Sequence, residues 1–217
     1  MTNAPIAITI SRQLGCGGAY LGHKIAKKLG FLYLDHEIIT RGAGEFKMLE
    51  ETLESKDEKI TSFWEKIVES FALQAPDNYM PPQAHVLTDR ELFDAESKVI
   101  TEAAQKNNVV IIGRCGTIAL KEHPRHLSVF LHAPTIFRMH RVKKLYKVSN
   151  AEALRRIQKS DTERSQYFKT FSGSSWFDVR NYTLSINTGT MGLENAEKLI
   201  LDYIHAKLND DSFGLKP

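Results

Sequence analysis

Three groups of residues in this chain have the types and spacing that handle phosphate. The first is SRQLGCGGAYLG, residues 11–22, where glycines fall at 15, 17 and 18 just after the apolar run IAITI. Glycines so placed let backbone N–H groups converge, and a helix starting there adds partial positive charge, so an anion is favoured. A tight strand-to-helix turn with no ligand is the plainer reading of the same residues. The second group is Asp35 and Arg41 in YLDHEIITR, with Arg114 in the glycine turn of IIGRCGT. A guanidinium grips phosphate bidentately, although Arg41 taken alone reads first as a solvated helix arginine. The third lies in FRMHRVKKLY and LRRIQKSDTERSQYFK, where Arg138 and Arg141 stand three apart and share a helical face. A helical hairpin that brings arginines over a phosphate cleft is a device for clamping transferring phosphoryl groups.

The elements that must position these residues are readable from periodicity. Ile6 to Ile10 is a β-branched apolar run, hence a buried strand. Leu21, Ile25 and Leu29 recur every four residues, a helical stripe ending at Gly30, where a C-terminal cap belongs. FLYLD then restarts as a strand ending at Asp35, so the chain opens with a βαβ unit and a right-handed crossover. DRELFDAESKVITEAAQK predicts a helix over 89–106, and NVVIIGRCG, HLSVFLHAP and YTLSIN predict three further strands. Residues 135–170 read as helices dense in Lys and Arg, and 193–208 as a closing helix with Ala196, Leu199, Ile200, Tyr203 and Ile204 on one face. Five strands interleaved with helices predict a doubly wound α/β domain. Phosphate-binding turns then belong at the carboxyl ends of the strands. Cys16 and Cys115 are expected on one edge of the sheet as free thiols, after neighbouring strands.

Composition narrows the class. A chain of 217 residues suits one domain, 42% apolar and 25% charged residues are ordinary for a globular protein, and a net charge of +3 points to neither nucleic acid nor membrane. No stretch approaches the about 20 apolar residues of a membrane span, and MTNAPIAITI lacks the basic region of a signal peptide. Two cysteines form no disulfide framework, which suits a reducing cytoplasm. The eight histidines have no metal-ligand spacing, so no metal ligand is assigned to the protein.

The order of these motifs resembles the nucleoside monophosphate kinases, most closely the cytidylate kinase-like family of P-loop proteins. The resemblance runs through ITISRQLGCGGAYLG, LGFLYLDHEII, VVIIGRCG, SVFLHAP, SDTERSQYF and NYTLSINTGTMGLENAEKLI. It implies a sheet of P-loop NTPase type with two helical insertions, a monophosphate-binding region over 36–88 and a lid over 135–175. It implies ATP and Mg²⁺ as cofactors, with Ser11, Arg12, Gly15, Cys16, Gly17 and Gly18 at the donor phosphates. Asp35, Arg41 and Arg114 would place the acceptor, a nucleotide such as CMP or dCMP or another small molecule. Arg164, the best match to a lid arginine, would join Arg138 and Arg141 on the transferring group. The chain departs from the loop G-x-x-G-x-G-K-S-T of ordinary cytidylate kinases at two places: Gly18 stands where the lysine belongs and Ala19 where the serine belongs, a G-x-G-G form that the resemblance implies is shared within the cytidylate kinase-like group. Cys115 likewise replaces the aspartate of G-R-D-I-G-T. Two alternatives remain open on these residues: a nucleotide-binding regulator without turnover, and a kinase of a non-nucleotide metabolite.

Overall fold

The computed structural model describes residues 4–35, 89–113 and 115–208. Arg41, Arg114 and the monophosphate-binding region expected over 36–88 lie outside the described residues. Five parallel strands form one sheet: β1 (Ala7–Arg12), β2 (Leu32–Leu34), β3 (Val109–Ile112), β4 (His126–His132) and β5 (Leu184–Asn187), in the order β2-β3-β1-β4-β5. β1 is central, and its residues from Ala7 to Ile10 are buried on both faces, as expected of a continuous apolar run in a parallel sheet.

The pleat sends alternate residues to two cores. On one face Ile8, Ile10, Val110, Ile112, Val129 and Leu131 pack with Leu21 and Ile25 of α1 (Gly18–Leu29) and with Ala196, Ile200 and Ile204 of the last helix (Leu193–Leu208). On the other face Ala7, Val109 and Ile111 meet Ile100, Ala103 and Ala104 of α2 (Asp89–Lys106), with Leu120 just after α3 (Gly116–Ala119). α1 ends at Gly30, whose N–H returns to the carbonyls of Ala26 and Lys27.

The basic stretch after β4 is a helical hairpin, α4 (Thr135–Tyr146) and α5 (Asn150–Ser172). Ser149 caps α5 by accepting from the Glu152 N–H. The lid expected over 135–175 is thus two packed helices joined by a short turn. Tyr167, Phe168 and Phe171 of α5, with Trp176 beyond it, build an aromatic cluster with Phe93, Phe130 and Tyr182. Phe93 and Phe171 stack with centroids 4.2 Å apart, and the Tyr182 hydroxyl donates to the Trp176 carbonyl at 2.8 Å. That cluster anchors α5 against β4 and α2. The chain then passes through a 3₁₀ turn (Val179–Asn181), β5, the short α6 (Thr188–Met191) and α7 (Leu193–Leu208).

Candidate phosphate site at the carboxyl edge of the sheet

The loop from Gln13 to Gly17 leaves the end of β1 and turns into α1, with Gly17 at the N-cap position. Gly15 and Gly17 both have left-handed backbone, φ 87° and 90°, which an L side chain rarely adopts. They are also approached closely. A Cβ on Gly15 would lie 2.8 Å from the Arg138 carbonyl oxygen, and one on Gly17 2.6 Å from Leu193 Cδ2. Cys16 between them is buried, its thiol donating to the Gln13 carbonyl at 3.0 Å, and burial pushes its pKa up to about 11. Thr188 Oγ1 donates to the Cys16 carbonyl at 2.8 Å and so ties the loop to the segment after β5.

The hairpin arginines separate into distinct roles. Arg138 is buried and held by protein groups through two of its nitrogens: Nε donates to the Ala133 carbonyl, Nη1 to the Leu14 carbonyl, and Nη1 also meets Asp161 of α5 at 2.5 Å. Asp161 in turn accepts from the Leu14 N–H at 3.1 Å and from Gln13 Nε2 at 3.3 Å. This charge-assisted knot fastens both hairpin helices to the loop. Arg141, one turn further along α4, turns its guanidinium to Gly17, with Nη2 3.5 Å from where a Cβ there would sit. Its Nε is buried and has no hydrogen-bond partner, so a donor beside the glycine loop is left for an anion. Arg164 reaches the end of β1, where Nη1 donates to the Arg12 carbonyl at 3.2 Å.

A cleft of about 280 Å³ opens beside the loop, lined by Ser11, Arg12, Gly113, Cys115, Arg164 and Tyr167 among others. The Arg12 side chain lies across it, and no hydrogen bond or ion pair joins its guanidinium to another described residue. Desolvation, then the neighbouring Arg164, pull the Arg12 pKa down to about 10, while Cys16, Tyr33 and Asp35 pull the other way. Burial lowers Arg164 as well, against the attraction of Asp161. Two half-buried guanidiniums lining one mouth repel each other, and an anion between them would relieve that repulsion. Asp35 follows β2 at the same edge of the sheet. Cys16 and Cys115 follow the adjacent strands β1 and β3, both as free thiols, as expected from sequence. Cys115 has a left-handed backbone, φ 51°, at the N-cap of α3.

Lys143 and Lys144 are exposed, and Arg156 and Lys159 pair along their own helix with Glu152 and Glu163. Thr188 and Glu96 are silent in the sequence, Glu96 being a fully buried carboxylate of α2 that accepts from the Tyr167 hydroxyl at 3.3 Å; Asp161 stands in the DTER run, but its partner Arg138 is not readable there. Among the described residues no group of three His, Cys, Asp or Glu side chains forms a metal site. No described helix is long and apolar enough to cross a membrane.

A five-stranded parallel sheet of this order, with a glycine loop after the central strand and helices on both faces, defines an α/β fold of the P-loop kinase type. The model of the cytidylate kinase-like family matches residues 7–190, and the chain belongs to that family. A curated cytidylate kinase from Pyrococcus horikoshii is 26% identical over 200 residues, covering 92% of this chain and 88% of that protein. A crystal structure of an uncharacterized protein from Eubacterium ventriosum superposes with a TM-score of 0.67 at 25% identity, covering 93% of this chain and 98% of that one. Shikimate kinase from Acinetobacter baumannii, solved with shikimate, shares the fold at a TM-score of 0.50 and 16% identity, with 96% and 97% coverage. The family and the fold together make this a kinase-like protein of nucleotides or small molecules.

Proposed function

We propose that the chain transfers the γ-phosphoryl group of ATP to a nucleoside monophosphate, with CMP or dCMP as the acceptor. The observation that carries this reading is the pair of half-buried guanidiniums, Arg12 and Arg164, lining one cleft where the glycine loop meets the turn after β3. Charge of that sign is what a transferring phosphoryl group requires, and catalysis of this reaction rests on positioning and electrostatic stabilisation. The cytidylate kinase name of the Pyrococcus relative supports CMP as the acceptor.

In this reading the loop N–H groups from Gly15 to Gly18, Ser11 and the Arg141 guanidinium hold the donor phosphates. The orphaned Arg141 Nε and the crowded, left-handed glycines fit an anion of that kind. Bound Mg²⁺ would neutralise charge on the nucleotide's phosphate oxygens; with Ala19 in place of the usual hydroxyl and no cluster of three ligating side chains among the described residues, the phosphates themselves would supply most of its ligands. Arg12 and Arg164 face the group in transfer, while Asp35, Arg41 and Arg114 place the acceptor. Arg138 acts through the loop, as a positioning residue, because its Nε and Nη1 are held by Ala133, Leu14 and Asp161. The aromatic wall of Tyr167, Phe168 and Trp176 limits water at the cleft.

A second reading, a regulator that binds nucleotide without turnover, is favoured by Gly18 and Ala19, which lack the usual ammonium and hydroxyl. A coupled assay of ADP release from ATP with CMP, dCMP, UMP and AMP decides between them. Release with CMP supports the kinase. ATP binding by calorimetry with no release from any acceptor supports the regulator.

A further inference from the structure

The loop lacks its lysine at position 18, and the backbone offers no reason for a glycine there. Unlike Gly15 and Gly17, Gly18 is not in the left-handed region; it is the first residue of α1, where any L residue fits. What excludes a side chain is Arg12. A Cβ on Gly18 would lie 2.6 Å from Arg12 Cγ and 2.7 Å from Arg12 Cβ, so the arginine stem fills the space in which a lysine side chain would begin. Further out, the same guanidinium covers Gly113: a Cβ there would lie 1.9 Å from Nη1. Arg12 therefore runs over the first residue of α1 to the turn after β3, between the donor loop and the turn that carries Arg114.

Resting on the phosphate-site reading above, we propose that Arg12 supplies from the strand side of the loop the cation that a lysine at position 18 supplies in the ordinary P-loop, and contacts the phosphates directly. The reach is equivalent. Lysine Cβ to Nζ and arginine Cγ to Nη span the same number of bonds, and the two starting atoms overlap here. Among the described residues no hydrogen bond or ion pair holds the Arg12 head, and Asp35 acts on it only electrostatically. Burial and Arg164 disfavour the Arg12 charge more than Cys16, Tyr33 and Asp35 favour it, so the site gains from an anion at its head. Gly18 and Gly113 are then the two positions that must stay small for this arginine to lie where it does. The departure from the ordinary P-loop is an exchange of position, not the loss of a charge.

The test is a rescue. Arg12→Met keeps the stem packed on Gly18 and Gly113 but removes the charge, and Arg12→Ala combined with Gly18→Lys moves the cation to the ordinary position. Thermal melts of each variant establish folding, ATP affinity is measured by calorimetry, and transfer to CMP by ADP release. Arg12→Met is expected to lower kcat by about 100- to 1,000-fold, the scale of one lost electrostatic contact to a transition state. The double variant is expected to recover at least tenfold over Arg12→Ala, whereas Gly18→Lys with Arg12 present recovers nothing and melts lower. If the native chain binds ATP without transfer, the same order in ATP affinity supports the exchange while the kinase reading falls. Native transfer with an unaffected Arg12→Met variant, or a folded double variant no better than Arg12→Ala, overturns the exchange while the kinase reading stands. A native chain that does not bind ATP overturns both.

Discussion

Asp161 is the residue whose removal should most disturb the site without touching a phosphate. Its carboxylate holds Arg138 and accepts from the Leu14 N–H and from Gln13, and the two ion-pair partners are 14% and 6% exposed. Asp161→Ala leaves a buried guanidinium with only the Ala133 and Leu14 carbonyls, and strips the Leu14 N–H of its acceptor. Breaking a buried pair from one side costs about 3–5 kcal/mol, and the residual exposure of Asp161 places this case near about 3 kcal/mol. Asp161→Asn keeps an acceptor and loses the charge, so it should cost about 1–2 kcal/mol, the difference between charged and neutral hydrogen bonds. Urea unfolding measures both, through the midpoint at constant slope. Adding Arg138→Met to Asp161→Ala removes the stranded charge, and the cycle should return an interaction energy of about 1–3 kcal/mol. Asp161→Ala costing less than about 0.5 kcal/mol, the range of an ordinary surface change, would refute the knot. So would a cycle in which the two substitutions simply add.

Four further outcomes follow from the same geometry. ATP affinity by calorimetry should fall by about 1.5–3 kcal/mol in Arg12→Met, the scale of one charged hydrogen bond, because the arginine is charged at working pH. The apo fold should move the opposite way. Burial and Arg164 disfavour the Arg12 charge, so Arg12→Met should melt at or above the native chain when no nucleotide is present. Cys16, buried and raised to about 11, should resist iodoacetamide at pH 8 until the chain is unfolded, as read by mass spectrometry; rapid native labelling would contradict its placement. Arg114→Ala should weaken CMP binding by about 1.5–3 kcal/mol and spare ATP, while exposed Lys143→Ala should change neither affinity nor stability beyond about 0.5 kcal/mol.

Residues whose role is set by neighbours in sequence were legible. The run AITI, the stripe Leu21, Ile25 and Leu29, and the bounds of the helix 89–106 follow from periodicity alone, because burial on a parallel sheet leaves few other solutions. The adjacency of the strands before Cys16 and Cys115 followed from topology. The knot was not legible. Arg138 and Asp161 lie 23 positions apart and meet only because two helices fold back on each other, so a shared helical face gave the arginine but not its partner. Arg138 reads from sequence as a phosphate ligand; what the sequence does not show is that its Nε and Nη1 meet Ala133, Leu14 and Asp161. Gly18 misleads for a related reason. Its loss of a side chain looks like a missing charge until Arg12 is seen lying across it. Thr188 and Glu96 carry no local signal, since a buried hydroxyl and a buried carboxylate are defined by what surrounds them.

The central claim is that this site moves a phosphoryl group. The most direct test follows radiolabel from γ-labelled ATP in the presence of Mg²⁺ and CMP, separated by thin-layer chromatography, with the native chain and Arg12→Met side by side. The account predicts label in CDP with the native chain, and about 100-fold less with the variant. Label that stays in ATP with every nucleoside monophosphate offered, although calorimetry shows ATP bound, would contradict it.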